Sequence, residues 1–335
     1  MAPAGAMPAV QGRNQVSLEI FPYIRVHKDG TFDRLAGFEI APPGIDPETH
    51  VESKDILILP DTGVSARIYR PSSVSATTKL PLVIYFHGGA FIISSIADPK
   101  YHFCLNALVA ECNVVLISVD YRRVPEHPLP AAYDDSWAAL QWIASEEAQS
   151  EPWLRERADF NRLFLIGDSG GANMSHHLAM RLRDDVLGER VKLLGIGMIQ
   201  PYFWGKMPIG AEVADPGRKA WVDSTWQFVC VSDKGCDDPL INPFADGSPG
   251  VDGLACKKVL VIVSQKDILR DRGRLYYEKL VESGGPAEAE FMEIDGVDHV
   301  FHIYDPSCEK AKKLFKRVAS LINSDGKSHE KETVE

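Results

Sequence analysis

The chain has 335 residues, enough to bury a sizeable core as one large α/β domain or two smaller ones. Hydrophobic residues at 45 % and charged residues at 25 % exclude wholesale disorder and fibrous repeats. Lys plus Arg number 36 against 47 Asp plus Glu, a net charge of −11, and the only basic cluster, a mild one at 309–317, argues against a nucleic-acid partner.

In chain order, residues 1–15 are small and polar and are expected to be disordered. They hold neither a basic leader nor an apolar run, and no apolar stretch anywhere approaches 18 residues. No membrane partner is expected, and cytoplasmic residence follows, with the nucleus as an alternative. Residues 16–50 read as irregular. DILILP (55–60) and SARIYRP (65–71) flank DTGV and predict an antiparallel hairpin.

From Leu80 onward the pattern changes to short β-branched runs at 80–86, 113–121, 162–167, 192–199, 258–264 and 289–294. Continuous apolar strands of this kind need cover on both faces, which predicts a mostly parallel sheet. Helical patterns at 101–112, 131–145, 170–183, 271–283 and 308–323 supply that cover and imply right-handed crossovers. The stretch 202–244, rich in Pro, Gly, Asp and aromatics, interrupts this rhythm and predicts a cap or binding element. The expected layout is one α/β domain over 16–323, capped by about 16–50 and 202–244, with a disordered tail at 324–335. Six scattered cysteines without a CxxC pair predict free thiols. The Asn173-Met174-Ser175 sequon falls in a helix expected to be buried, and reads as chance.

The sharpest local signal is LFLIGDSGGANMSHHLAM, where a strand runs into Gly167-Asp168-Ser169-Gly170-Gly171 and a helix follows. Small residues on both sides of Ser169 suit a nucleophile elbow, whose sharp turn needs strand and helix to approach closely. Earlier, YFHGGAF places Gly88, Gly89 and Ala90 directly after an apolar strand. Consecutive glycines let backbone N–H groups converge on a developing oxyanion, so Gly88, Gly89 and the N–H of Gly170 are the expected donors.

A Ser, acid, His chain order then selects Asp267, in the loop after KVLVIVS, and His299, in the loop after the last strand. Asp271 and His302 stand as rivals. A His299/His302 metal pair lacks a supporting carboxylate or cysteine at ligand spacing, so no metal is expected. His176 and His177 read as packing residues, and His87 as a brace for the glycine loop.

Taken together, HGGAF, DYRRVPEHPLPAAYDD (120–135) and GDSGG, with DPLINPF (238–244) and GVDHVFHIYDP (296–306), resemble the hormone-sensitive-lipase-like carboxylesterases of the α/β-hydrolase fold, in the plant carboxylesterase branch. The resemblance covers nearly the whole chain and favours His299 over His302. It implies a Ser169–His299–Asp267 triad, no cofactor, and small-molecule ester substrates. Asp168, Tyr121, Arg122 and Glu126 would hold the oxyanion loop and elbow in register.

The same branch contains 2-hydroxyisoflavanone dehydratases and gibberellin receptors, so two other functions stay open: a lyase, and a non-catalytic binder. Receptors of the branch replace the histidine by an aliphatic residue, whereas His299 is present here. Ala90 stands where many members have a third glycine, and Gly170 where many have alanine. The pocket is expected above the strand ends, walled by Ala90, Phe91, Ile92 and Ile93 on one side and by Tyr202, Phe203 and Trp204 on the other. That lining suits a small hydrophobic or phenolic ester, handled by a monomer or homodimer.

Overall fold

A computed structural model describes residues 15–72 and 79–324. The expected disorder at 1–15 and 324–335 therefore lies outside the described residues, except for Gln15 and Ser324.

The N-terminal segment forms a small antiparallel sheet of β1 (Val16–Ile20), β2 (Ile24–His27) and β3 (Phe32–Arg34). This corrects the expectation of an irregular 16–50. These strands are short and only partly buried, and the apolar–polar alternation of VSLEI and IRVH extends over no more than five residues.

The second sheet has eight strands: β4 (Val51–Leu59), β5 (Val64–Pro71), β6 (Leu80–Phe86), β7 (Val115–Asp120), β8 (Ala158–Asp168), β9 (Leu193–Ile199), β10 (Lys258–Ser264) and β11 (Glu288–Ile294). Their order is β11-β10-β9-β8-β6-β7-β5-β4. The six strands from β6 to β11 pair in parallel. The predicted hairpin, β4 with β5, is antiparallel and adds the far edge through an antiparallel β5–β7 pairing.

Helices α1 (Pro99–Cys112), α2 (Ala131–Ala144), α3 (Glu146–Ser150), α4 (Pro152–Arg157), α5 (Gly170–Arg181), α6 (Ala211–Ala214), α7 (Pro216–Val229), α8 (Arg270–Glu282), α9 (Phe301–Tyr304) and α10 (Glu309–Asn323) complete the chain. Local chemistry sets several of their ends. Asp98 caps α1 by accepting from the Lys100 N–H, Pro99 occupies the first turn, and Asn113 closes the helix in the left-handed conformation. Asp215 and Pro216 start α7 in the same way.

Alternate residues of the parallel strands feed two cores. Leu82, Ile84 and Phe86 of β6 and Val259, Val261 and Val263 of β10 pack with α2, α5 and α8. Val83 and Tyr85 of β6 and Leu260 and Ile262 of β10 pack with α1 and α10. Strands buried on both faces leave only their C-terminal ends open to carry polar chemistry, the usual ligand edge of such sheets. Among the described residues no helix is long and apolar enough to cross a membrane. All six cysteines are free, and five of them are buried.

One approach positions everything at that edge. Helix α5 lies so close to the end of β6 that a Cβ on Gly171 would sit 1.8 Å from the Phe86 carbonyl oxygen, and one on Gly167 would sit 2.4 Å from Gly171. A Cβ on Gly170, by contrast, would meet only the edge of the Phe91 ring at 3.3 Å. Gly171→Ala should therefore destabilise the fold by about 3 kcal/mol, because the backbone must move, whereas Gly170→Ala should cost under about 1 kcal/mol. Denaturant titration of the two variants measures the contrast, and equal stabilities would contradict the close approach.

Candidate active site

The turn from β8 into α5 holds Ser169 at φ 52°, ψ −117°. This conformation is strained for a residue with a side chain, and it persists because both backbone groups are tied down. The Ser169 N–H donates to the Ile199 carbonyl at 2.9 Å, and its carbonyl accepts from the Tyr202 N–H at 3.0 Å.

Ser169, His299 and Asp267 come together from three separate connections. His299 Nε2 lies 3.0 Å from Ser169 Oγ, and His299 Nδ1 lies 2.6 Å from Asp267 Oδ2. The other Asp267 oxygen accepts from the Leu269 N–H at 2.9 Å, which fixes the carboxylate's rotation. With Nδ1 protonated toward Asp267, Nε2 is left to accept the Ser169 hydroxyl proton. Burial alone would lower the pKa of His299, but the Asp267 carboxylate, by charge and by hydrogen bond, outweighs it and raises the imidazole above its usual range.

The rivals are engaged elsewhere. Asp271 pairs with Arg270 and accepts from the Ala211 N–H. His302 is 1 % exposed among Phe301 and Phe315, and burial beside His299 pushes it down to about 3. Among the described residues no group of three or more His, Cys, Asp or Glu side chains is arranged to hold a metal ion.

The glycine loop departs from expectation at one donor. The Gly88 N–H is already committed to Tyr101 Oη at 2.8 Å and Asp168 Oδ1 at 3.2 Å, so it does not face the cavity as an oxyanion donor. The N–H groups of Gly89, Ala90 and Gly170 have no such engagement among the described residues. Gly89 takes φ 100°, and Ala90 takes φ 52° despite its methyl group. At both positions a positive φ turns the amide away from the strand direction.

Behind this loop Asp168 is fully buried and accepts from Tyr85 Oη and Tyr101 Oη, each at 2.8 Å. Burial raises its carboxyl to about 6 even though both phenols and the Gly88 N–H favour the charged form. The carboxylate thereby couples the elbow to the loop. His87 stacks on Tyr121, whose hydroxyl donates to the His87 carbonyl at 2.7 Å. Arg122 forks onto Asp135, and Glu126 pairs with Arg34 of β3, tying the N-terminal sheet to this segment.

Comparison with known proteins fits this geometry. Residues 83–303 match the family model described as alpha/beta hydrolase fold. The chain belongs to the α/β-hydrolase family. Among its relatives, a protein of Arabidopsis thaliana named probable carboxylesterase 2 is 55 % identical over 93 % of this chain and 98 % of its own length. A 2-hydroxyisoflavanone dehydratase of Glycyrrhiza echinata is 40 % identical over 92 % of this chain and 96 % of its own. Among solved structures, an esterase of Pyrobaculum calidifontis superposes with a TM-score of 0.66 at 28 % identity, covering 81 % of this chain and 84 % of that one.

In this α/β-hydrolase a cavity of about 320 Å³ opens over the triad. Of the walls expected from sequence, Ala90 and Tyr202 line it. Phe91, Ile92, Ile93, Phe203 and Trp204 do not; they support the walls from behind. Phe91 packs beside Tyr133 and Trp226, Phe203 stacks on Tyr276 with centroids 4.6 Å apart, and Trp204 Nε1 donates to Asp223 at 2.6 Å. The Ile92 carbonyl accepts from Arg34. Their aromatic and apolar character signalled burial, and burial is what they obtained.

Sequence reasoning missed the lining supplied by the irregular segments: Tyr23 from the N-terminal sheet, and Arg218, Trp221, Val222 and Thr225 from α7. Trp221 Nε1 donates to the Phe21 carbonyl at 3.0 Å, so the two segments meet at the cavity's rim. Three further residues had no visible signal. Gln200 donates to Ser264 Oγ at 2.5 Å and accepts from the Val300 N–H at 2.6 Å, holding the histidine loop against the sheet. Asn173, read as a chance sequon, donates to the Tyr202 and Leu240 carbonyls and pins the insertion to α5. His177 reinforces this by donating to the Leu240 carbonyl at 2.9 Å.

The raised pKa of His299 has a kinetic sign. Below that pKa the imidazole is protonated and cannot accept from Ser169, so kcat/KM on an activated ester should fall toward low pH with a midpoint above 6.5. Asp267→Asn should move this midpoint downward and lower kcat by about four orders of magnitude. An acid limb unmoved by the substitution would sink the assignment of that limb to the pair.

Proposed function

We propose that this α/β-hydrolase is a serine carboxylesterase that hydrolyses small hydrophobic or phenolic esters through an acyl-enzyme. The observation that carries the reading is the continuous chain from Ser169 Oγ through His299 to Asp267 at 3.0 and 2.6 Å, opening on a cavity large enough for a small ester. The relative at 55 % identity and the esterase superposition agree with it.

His299 takes the Ser169 proton as the oxygen attacks the ester carbonyl, and Asp267 stabilises the imidazolium that forms. The developing oxyanion is received by the N–H groups of Gly89, Ala90 and Gly170, the last standing at the N-terminus of α5 where the helix dipole adds to the effect. The donor set thus shifts by one residue from the Gly88, Gly89 and Gly170 expected from sequence. His299 then protonates the leaving alcohol. Water enters, gives its proton to His299, attacks the acyl carbon, and releases the acid as Ser169 recovers its proton.

Against a purely binding role stands the presence and placement of His299. The dehydratase reading rests on relatives at 40 % identity and is the less supported of the two enzymatic readings.

A fluorophosphonate probe should label the wild-type protein at Ser169 and fail to label Ser169→Ala. The same variant should lose at least about three orders of magnitude in turnover of a short-chain p-nitrophenyl ester. Wild-type turnover in that variant would remove the nucleophile assignment, and conversion of a 2-hydroxyisoflavanone to isoflavone with no ester hydrolysis would replace the esterase reading by the lyase.

A further inference from the structure

Arg218, in the first turn of α7, reaches both of the loops that carry Asp267 and His299. Its backbone N–H is held by the Asp215 side chain at 2.9 Å, which fixes where the helix starts. Its guanidinium donates from Nη1 to the Lys266 carbonyl and from Nη2 to Asp298 Oδ1, each at 3.2 Å. Lys266 immediately precedes Asp267, and Asp298 immediately precedes His299. The same Asp298 oxygen also accepts from the His299 N–H at 2.8 Å. The Lys266 N–H donates to the Val297 carbonyl at 3.0 Å, so the two loops are joined directly and the guanidinium binds that junction to α7.

Arg218 and Asp298 both line the catalytic cavity, and their side chains are 44 % and 55 % exposed. An ion pair so open to water adds little to stability. Its placement is what matters. A planar guanidinium offers two donors in a fixed fork, one for each loop, whereas an ammonium on a flexible stem does not reproduce that geometry.

Asp298 also acts on the imidazole. Its charge favours the protonated form of His299, as do the larger contribution of Asp267 and that of Asp168 at the end of β8. The other groups around this loop do not oppose it with a free charge. Burial beside His299 holds His302 of α9 down to about 3 and therefore neutral. Tyr23 of the N-terminal sheet is a neutral phenol, pushed up to about 12 by burial and by nearby Tyr304 and Asp267. Arg270 of α8 is paired with Asp271, and Lys310 of α10 donates to the Asp295 carbonyl. Arg218 is the cation bound directly to the carboxylate beside His299.

We propose that Arg218 is a positioning residue for the histidine: from α7 it holds the Asp298 carboxylate against the His299 N–H and balances the Asp298 charge beside the imidazole. This inference rests on the esterase reading above.

Three variants test it through the acid limb of kcat/KM at low salt. Arg218→Gln leaves the Asp298 charge unbalanced, which favours the imidazolium, so the midpoint should move up by about half a pH unit. Asp298→Asn keeps an oxygen for the His299 N–H but removes the charge, and the midpoint should move down by a similar amount. Arg218→Lys restores the cation and should bring the midpoint back toward that of the wild type. Added salt should shrink both shifts, because the pair is exposed. A merely structural role would lower activity without moving the two midpoints in opposite directions.

Midpoints that stay in place in Arg218→Gln and Asp298→Asn, or that move the same way, overturn the proposal. So does a loss in Arg218→Gln confined to the KM of esters bearing a carboxylate, which would make Arg218 a substrate contact instead. Should Arg218→Gln fail to fold, Asp298→Asn decides alone, and an unmoved or raised midpoint overturns the proposal. Titration of the His299 imidazole by NMR reads the same midpoints without substrate. Absence of ester turnover in the wild type would thus overturn the esterase reading, while the NMR midpoints would still decide whether Arg218 and Asp298 act on the imidazole.

Discussion

Helix α5 and strand β6 touch backbone to backbone at Gly171 and Phe86, and the rest of the active edge is arranged around that contact. It lets the chain turn within one residue, leaving Ser169 at the apex in a conformation that a looser crossing would relax. The strain is held by hydrogen bonds to neighbouring connections, from Ser169 to Ile199 and from Tyr202 back to Ser169. The same proximity brings the β6 loop beside the first amide of α5, so the placement of Ser169 and that of the loop's free amides share one structural cause.

A second layer keeps these parts in register. The Asp168 carboxylate, gripped by two phenols, reaches across to the Gly88 N–H. Gln200 performs a comparable task on the opposite flank, joining the end of β10 to the histidine loop. A buried polar group with every bond made specifies one arrangement, because any displacement leaves it unpaired. The Asp168 bridge joins the elbow to the glycine loop, and the Gln200 bridge joins the end of the strand before Asp267 to the loop that carries His299.

The parallel strands and long helices were legible because their apolar periodicity is what two-sided burial requires. The grouping of Ser169, Asp267 and His299 was legible because each follows a strand, where the sheet presents its open ends. Gly88 was misassigned as a donor because a run of glycines announces exposed amides without saying which ones other groups already use. Phe91, Phe203 and Trp204 were placed on the cavity wall for a related reason: hydrophobic character near a site does not distinguish a surface facing substrate from the layer beneath it. The N-terminal sheet and α7 carry no strong pattern of their own. They are held by specific contacts such as Trp221 with Phe21 and Arg34 with Glu126, and pairings between remote residues leave no local trace.

That last arrangement separates two kinds of anchoring. The elbow and the glycine loop are locked to the large sheet by close packing at Gly167 and Gly171. The cavity's outer wall is assembled from β1–β3 and α7, neither of which contributes a strand to that sheet. A substitution in those two segments reshapes the cavity's rim without displacing a strand of the large sheet. The plan allows recognition to be revised at the rim while the groups at the sheet edge stay in place.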